Sequence, residues 1–178
     1  ITTMQMDVGL DTGDILLKKE IEISPQETGE SLHDRLAEIS GDLLLETLLL
    51  AEEGNLQPIS QNDEESCYAK MLTKELGLLD MNEEAEKLER YIRGLNSWPS
   101  AYTGFRGKTL KIWRAEVVKE DTAEKSGTVV SVDKNSFTVQ TGRHCLRILE
   151  VQMEGKKRMD ADSFLRGVAV KKGDMLCI

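Results

Sequence analysis

The strongest constraint on the fold is an alternation of apolar and polar residues that begins at residue 108. The segments KTLKIWRAEVV (108–118), SGTVVSVD, SFTVQTG and CLRILEVQM follow one another and are separated by Gly, Asp or Asn residues. Short alternating segments spaced by roughly ten residues are typical of antiparallel β structure. They predict a small β-barrel or sandwich, with a helical turn over 160–168 and a last strand in KKGDMLCI.

The preceding hundred residues have a different pattern. Apolar residues in 1–6 and 14–23 flank a loop and predict two strands that pair as a hairpin. A leucine-rich stripe then predicts a helix that begins near Ser24 or Thr28 and ends before Gly54. The stripe is broad, so we expect this helix to be buried against a sheet.

A second helix is predicted over residues 82–96. Asn82 is its expected N-cap, and Leu88, Tyr91, Ile92 and Leu95 are its expected buried face. The polar segment between the two helices contains a proline and three successive acidic residues, a composition typical of a linker.

Charge divides the chain in the same way. The formal net charge of −9 hides an acidic part, residues 1–105, with 8 basic and 22 acidic residues, and a basic part with 15 and 10. Such a split predicts two units with different roles. The opening ITTMQM looks like a strand already under way, so we expect the chain to be a fragment of a longer protein.

Composition also limits the possible sites and compartments. No apolar run approaches the roughly 18 residues of a membrane span, and no signal peptide is recognisable, so we expect no membrane partner. Cys67, Cys145 and Cys177 lack metal-ligand spacing and are expected to be reduced thiols in a cytoplasmic protein. Only two histidines are present, His33 and His144, and we expect both to face solvent and no metal to be bound.

The segment DVGLDTGDI (7–15) concentrates three aspartates and two glycines in one loop. The residue types allow three interpretations: a turn whose aspartates accept backbone N–H groups, a hard-metal site, or a carboxylate that serves a proton relay. The acidic spacing does not match a twelve-residue calcium loop. The residues alone leave the choice open.

Five motifs in order resemble the later part of methionyl-tRNA formyltransferases. They are TTMQMDVGLDTGDILLKKEIEI, SLHDRLAEISGDLLLETL, YAKMLTKELGLLD, LERYIRGLNSWPSAY and LEVQMEGKKRM. The resemblance implies an α/β fold: the final strands and helix of a catalytic domain (1–57), a linker (58–67) and a small OB-like β-barrel domain with a leading helix (68–178). It also implies formyl transfer from 10-formyltetrahydrofolate to the amino group of methionyl-initiator tRNA. We expect the protein to be a monomer.

The same resemblance implies roles for residues of the loop. Asp11, in Leu10-Asp11-Thr12-Gly13, matches the catalytic aspartate of the family. Asp7, Val8, Gly9 and Leu10 are the expected folate contacts, and Asp14 is expected to be structural. The family's other two catalytic residues lie in an Asn-x-His motif, which occurs nowhere in the 178 residues. We therefore expect this chain to be inactive alone.

Basic residues are the expected contacts to tRNA phosphates. The candidates in the linker region and the barrel are Lys70, Lys74, Arg143, Arg147, Lys156, Lys157, Arg158, Lys171 and Lys172. Trp98 and Tyr102 could stack on bases, although we expect them to be core aromatics. Two further functions stay open: a non-catalytic RNA-binding module, and a formyltransferase that acts on another amine.

Overall fold

The computed structural model describes residues 1–177 and divides them into two compact units. The first unit comprises residues 1–27 and 31–71, and the second comprises residues 28–30 together with the chain from Leu72 onward. No helix among the described residues is long and apolar enough to span a bilayer.

The first unit begins with the predicted hairpin. Strand β1 (Thr2–Met4) pairs antiparallel with β2 (Ile15–Lys18), with Thr3 opposite Leu17 and an irregularity beside Met4. Strand β2 ends earlier than predicted, because its alternating continuation to residue 23 forms no regular ladder.

Helix α1 (Gly29–Glu52) follows the hairpin and ends before Gly54, whose φ of +70° is the left-handed conformation expected after a helix end. Leu43 and Thr47 are buried, and the Thr47 hydroxyl lies 2.9 Å from that of Thr3 on β1. The prediction that the whole leucine stripe is buried is wrong for the described chain. Four leucines of α1 are 51–59% exposed: Leu44, Leu45, Leu48 and Leu49. Two strands of three and four residues offer too little sheet to cover so broad a stripe.

The second unit is built on an antiparallel sheet. Its strands are β3 (Ala101–Phe105), β4 (Lys108–Val118), β5 (Val129–Val132), β6 (Phe137–Gln140), β7 (Cys145–Met153) and β8 (Met159–Asp160). The strand order is β3-β4-β7-β6-β5, and β8 pairs with β7. The long strands β4 and β7 lie side by side, with Leu110 opposite Met153 and Val118 opposite Cys145.

Helices α2 (Ala85–Gly94) and α3 (Ala161–Gly167) complete the second unit. Leu88 and Ile92 of α2 and Phe164 of α3 join the buried core of the sheet. Helix α2 starts later than predicted: Glu84 occupies the N-cap position, and the peptide N–H of Asn82 donates to Asp80 instead. Tyr91 is exposed, so the predicted buried face of this helix is correct only for its aliphatic residues.

The predicted OB-like barrel is not confirmed, because the described strands do not close. The C-terminal segment was predicted as a strand, and its last residue, Ile178, lies outside the described residues. Residues 171–177 make only single bridges, from Leu176 to Phe105 and from Met175 to Thr128. These bridges place the segment beside both β3 and β5 without a continuous ladder. The observed fold is therefore a mixed α and β structure with an antiparallel sheet.

Candidate functional site

Residues 7–14, within the connection between β1 and β2, are here called the Asp11 loop. Its base is closed by a hydrogen bond from the peptide N–H of Gln5 to the carbonyl oxygen of Asp14, 2.9 Å. A Cβ at Gly13 would lie 1.7 Å from the carbonyl oxygen of Gln5, so only glycine permits this approach. Asp11 has a φ of +53°, the left-handed region that aspartate tolerates better than most residues.

The three aspartates of the Asp11 loop have different environments. The carboxylate of Asp7 accepts a hydrogen bond from the peptide N–H of Val8 at 2.7 Å, and that of Asp14 accepts one from the Ser60 hydroxyl at 3.0 Å. The exposed side chain of Asp11 forms no hydrogen bond or ion pair with any residue between 1 and 177. Asp7 thus has the role expected in a turn and Asp14 bonds a side chain that is distant in sequence, whereas the Asp11 carboxylate is available to a ligand.

The chain returns to the Asp11 loop after α1 through residues 59–61, here called the clamp segment. Ile59 and Ile15 exchange backbone hydrogen bonds of 2.8 and 2.9 Å. The side-chain amide of Gln61 donates to the carbonyl oxygens of Asp11, at 2.9 Å, and of Gly13, at 2.6 Å. Sequence reasoning missed Ser60 and Gln61, because their segment has only the composition of a linker.

An open cleft of about 620 Å³ adjoins the Asp11 loop. Leu10, Asp11 and Thr12 line one side, and residues 60–63 with 65–66 line another. Val8 and Leu10 expose their apolar side chains. The peptide N–H groups of Gly9 and Leu10 take no part in the backbone hydrogen bonds of residues 1–177. Apolar surface beside free N–H donors suits a flat, polar-edged ring. No cluster of three His, Cys, Asp or Glu residues in the described chain is arranged to hold a metal.

The basic residues of the second unit that follow residue 105 fall into two groups. Its six arginines after residue 105 each lie within 4 Å of a carboxylate: Arg106, Arg114, Arg143, Arg147, Arg158 and Arg166. The nine lysines of the same region form no ion pair with another described residue, and they are here called the C-terminal lysines. They are Lys108, Lys111, Lys119, Lys125, Lys134, Lys156, Lys157, Lys171 and Lys172.

Arg158 is the most engaged of the predicted tRNA contacts. Its Nε and Nη2 atoms donate to the two carboxylate oxygens of Glu150 at 2.6 and 2.9 Å, and its guanidinium lies 4.6 Å from the centre of the Trp113 ring. These hydrogen bonds hold the pKa of Glu150 below its usual value. Arg143 is similarly bonded to Glu84 at 2.8 Å, and Arg147 lies 3.8 Å from Glu116.

The remaining predicted phosphate contacts are exposed. Lys156 and Lys157 follow a turn at the end of β7, in which the peptide N–H of Lys156 donates to the carbonyl oxygen of Met153. Lys171 and Lys172 lie in a second turn, closed by the carboxylate of Asp174. Lys70 belongs to the first unit and Lys74 to the second, where it begins a short 3-10 helix (Lys74–Gly77).

Two predictions about single side chains are wrong. His144 does not face solvent freely: its Nδ1 lies 2.8 Å from Glu86, and its side chain is only 22% exposed. The pKa of Glu86 is lowered by its own peptide N–H and, to a smaller extent, by this histidine. Trp98 is 57% exposed and is not a core aromatic, because Leu95 and Asn96 occupy the buried positions beside it. His33 is exposed, as predicted.

Comparison with protein-family profiles assigns both parts of the chain. The profile of the formyl transferase C-terminal domain matches residues 71–169, and that of the formyl transferase domain itself matches residues 1–48. The chain belongs to the formyl transferase family. The formyl transferase C-terminal domain thus corresponds to the second unit, and the formyl transferase domain to the hairpin, the Asp11 loop and most of α1.

Similar formyl transferases include curated relatives named methionyl-tRNA formyltransferase. The one from Lachnospira eligens is 51% identical over 99% of this chain and 58% of its own length. The one from Agathobacter rectalis is 44% identical over 100% of this chain and 57% of its own length. The chain thus spans somewhat more than half the length of the curated relatives it matches.

Solved structures with the same fold have lower sequence identity. HypX from Aquifex aeolicus, in complex with tetrahydrofolic acid, has a TM-score of 0.68 at 19% identity over 99% of this chain and 33% of its own. WlaRD, a sugar 3N-formyl transferase, has a TM-score of 0.63 at 15% identity over 88% of this chain and 55% of its own. At such identities the similarity establishes the fold alone.

Proposed function

We propose that this chain forms the C-terminal part of an enzyme that transfers a formyl group from 10-formyltetrahydrofolate to the amino group of methionyl-initiator tRNA. The observation that carries the proposal is 51% identity, over 99% of the chain, to a relative named methionyl-tRNA formyltransferase. The complete enzyme requires an Asn-x-His motif, which this chain lacks.

Asp11 is the catalytic residue of this proposal. In the transfer a bond forms between the methionyl nitrogen and the formyl carbon, the bond from that carbon to folate N10 breaks, and a proton moves from the amine to N10. A carboxylate paired with a histidine assists such a proton transfer. Asp11 suits the role because its carboxylate is exposed and unpaired among the described residues, whereas its backbone is held by the clamp segment.

The Asp11 loop is also the proposed folate contact. When bound, 10-formyltetrahydrofolate supplies the formyl carbon. The free peptide N–H groups of Gly9 and Leu10 would bind polar edges of its ring, and the exposed side chains of Val8 and Leu10 would cover its faces. Asp7 would act indirectly, because its carboxylate already fixes the peptide N–H of Val8.

The C-terminal lysines are the proposed tRNA contacts in the second unit. Phosphates attract cations whose charge is not already neutralised. Lys156, Lys157, Lys171 and Lys172 meet this condition among the described residues. Arg143 and Arg158 are bonded to carboxylates, so we assign them a structural contribution.

The activity test uses a full-length enzyme. The residues of the Lachnospira eligens relative that precede its matched region are joined to Ile1 of this chain, and formylation of methionyl-initiator tRNA is measured. We expect activity with the tRNA, less than 1% of it in Asp11→Asn, and none from the 178-residue chain alone. Activity on an amino sugar and none on the tRNA would support the formyltransferase that acts on another amine. Full activity of Asp11→Asn would contradict the role of Asp11.

A further inference from the structure

The clamp segment contacts the Asp11 loop at the residue to which we assign the chemistry. Gln61 uses one side-chain nitrogen to bond two carbonyl oxygens of the turn, those of Asp11 and Gly13. The two partners are 50 and 48 residues away in sequence. This contact is therefore tertiary and does not result from local turn formation.

The turn needs such a contact because its backbone conformation is uncommon. Asp11 adopts a positive φ, which few non-glycine residues do without support from surrounding structure. The carbonyl oxygens of Asp11 and Gly13 must also converge, because both accept a hydrogen bond from the same nitrogen. Gln61 supplies that donor and thereby holds the Asp11–Thr12 and Gly13–Asp14 peptide groups.

The hydrogen bonds divide the clamp segment by function. Ser60 bonds the side chain of Asp14, the last residue of the loop, and Ile59 bonds the backbone of Ile15, the first residue of β2. Of the three residues of the clamp segment, Gln61 is the one that bonds the backbone of Asp11. If Asp11 is catalytic, a change at Gln61 displaces its carboxylate, whereas a change at Ser60 leaves that backbone in place.

We propose that Gln61 is a positioning residue that holds the Asp11 carboxylate at the reacting atoms. The proposal rests on the proposed function, since it assumes that Asp11 takes part in formyl transfer. Misplacement of a catalytic group by about 1 Å reduces turnover by up to a hundredfold. Gln61 therefore affects kcat and leaves tRNA recognition unchanged.

The test compares Gln61→Leu with Gln57→Leu in the full-length enzyme. Leucine keeps a side chain of comparable size but cannot donate a hydrogen bond, and Gln57 is an exposed glutamine just before the clamp segment. We expect Gln61→Leu to lower kcat by about tenfold to a hundredfold, with KM for methionyl-tRNA within about twofold and with Gln57→Leu unaffected. Equal rates for the two variants, or a raised KM with unchanged kcat, would overturn the proposal.

A double-mutant cycle separates positioning from general loss of structure. If Gln61 acts through Asp11, Gln61→Leu has no further effect in an Asp11→Asn background, where the carboxylate is already absent. Multiplicative losses in the double variant would instead show an independent structural role and overturn the proposal. The unmodified full-length enzyme tests the proposed function, which fails if that enzyme does not formylate methionyl-tRNA. Asp11→Asn alone tests the role of Asp11, which fails if that variant is fully active. If it is inactive but Gln61→Leu is active, only the positioning role fails.

Discussion

Replacing Arg158 by alanine should destabilise the second unit and leave RNA binding nearly unchanged. The guanidinium forms two hydrogen bonds with Glu150, and the two side chains are 42% and 19% exposed. After allowance for solvent screening, we expect a bidentate pair of this kind to contribute about 1 to 1.5 kcal/mol. The contact with Trp113 adds about 0.5 to 1 kcal/mol.

The expected loss in the free energy of unfolding is therefore about 2 kcal/mol, which corresponds to about 8 to 12 °C in a unit of this size. Differential scanning calorimetry of this chain measures it. Lys157→Ala is the matched control, and as an exposed substitution it should change stability by at most about 0.5 kcal/mol. Arg158→Lys keeps the charge but loses the planar fork, so it should resemble Arg158→Ala.

Acidic pH provides an independent check on the Arg158 prediction. The pKa of Glu150 is lowered in the folded chain, so its contribution is complete above the unfolded pKa of about 4.3 and is lost as the pH falls through the folded pKa. The difference between the wild type and Arg158→Ala should thus be constant above about pH 5 and shrink below about pH 4.

Binding measurements complete the comparison with Lys157. In the full-length enzyme, Lys157→Ala should reduce the salt dependence of tRNA binding by about one phosphate contact, and Arg158→Ala should not. A structural role for Arg158 is refuted if Arg158→Ala has the same melting temperature as Lys157→Ala. It is also refuted if Arg158→Ala changes the salt dependence of tRNA binding as much as Lys157→Ala does.

Three further predictions concern the loop, the core and acid stability. Gly13→Ala places a methyl group against the carbonyl oxygen of Gln5, so it should lower formylation by the full-length enzyme at least tenfold. Gly41→Ala, at a helix position with open space around it, should instead raise the free energy of unfolding in urea by about 0.5 to 1 kcal/mol. Phe137→Ala, at a fully buried ring, should cost about 3 to 5 kcal/mol by the same assay. Glu86→Gln should flatten the loss of stability below about pH 4.3, because the pKa of Glu86 is lowered in the folded chain; an unchanged acid transition would contradict this.

The strands of the second unit were predictable where apolar and polar residues alternate over a long segment. The observed bounds of β4 and β7 coincide with the two longest alternating segments. Strand β3 was not predicted, because Ala101–Phe105 is short and contains a glycine. Its alternating burial therefore produces too few apolar residues to be recognised as a strand pattern. The predicted C-terminal strand failed because edge pairing depends on where the other strands end.

The candidate site was predictable only where its residues are consecutive in the sequence and form a motif. Leu10-Asp11-Thr12-Gly13 identified the loop, and its glycine is required by the approach to Gln5. The contact of Gln61 spans about fifty residues, and no periodicity or spacing encodes such a contact. The contact between His144 and Glu86 could not be predicted for the same reason, since the two residues are 58 positions apart in the sequence.

The division between arginines and lysines limits how the second unit could recognise tRNA. Arginine binds phosphates and base edges through a planar fork, but the six arginines after residue 105 already face carboxylates. The C-terminal lysines offer flexible point charges, which attract the phosphate backbone without reading its sequence. If the proposed function holds, this unit supplies salt-sensitive affinity for tRNA. Discrimination of initiator tRNA from other tRNAs then depends on contacts outside the C-terminal lysines, so replacing Lys156, Lys157, Lys171 and Lys172 together should weaken binding of both classes by the same factor. Competition binding with initiator and elongator methionyl-tRNA measures that factor, and a loss confined to the initiator would contradict this division.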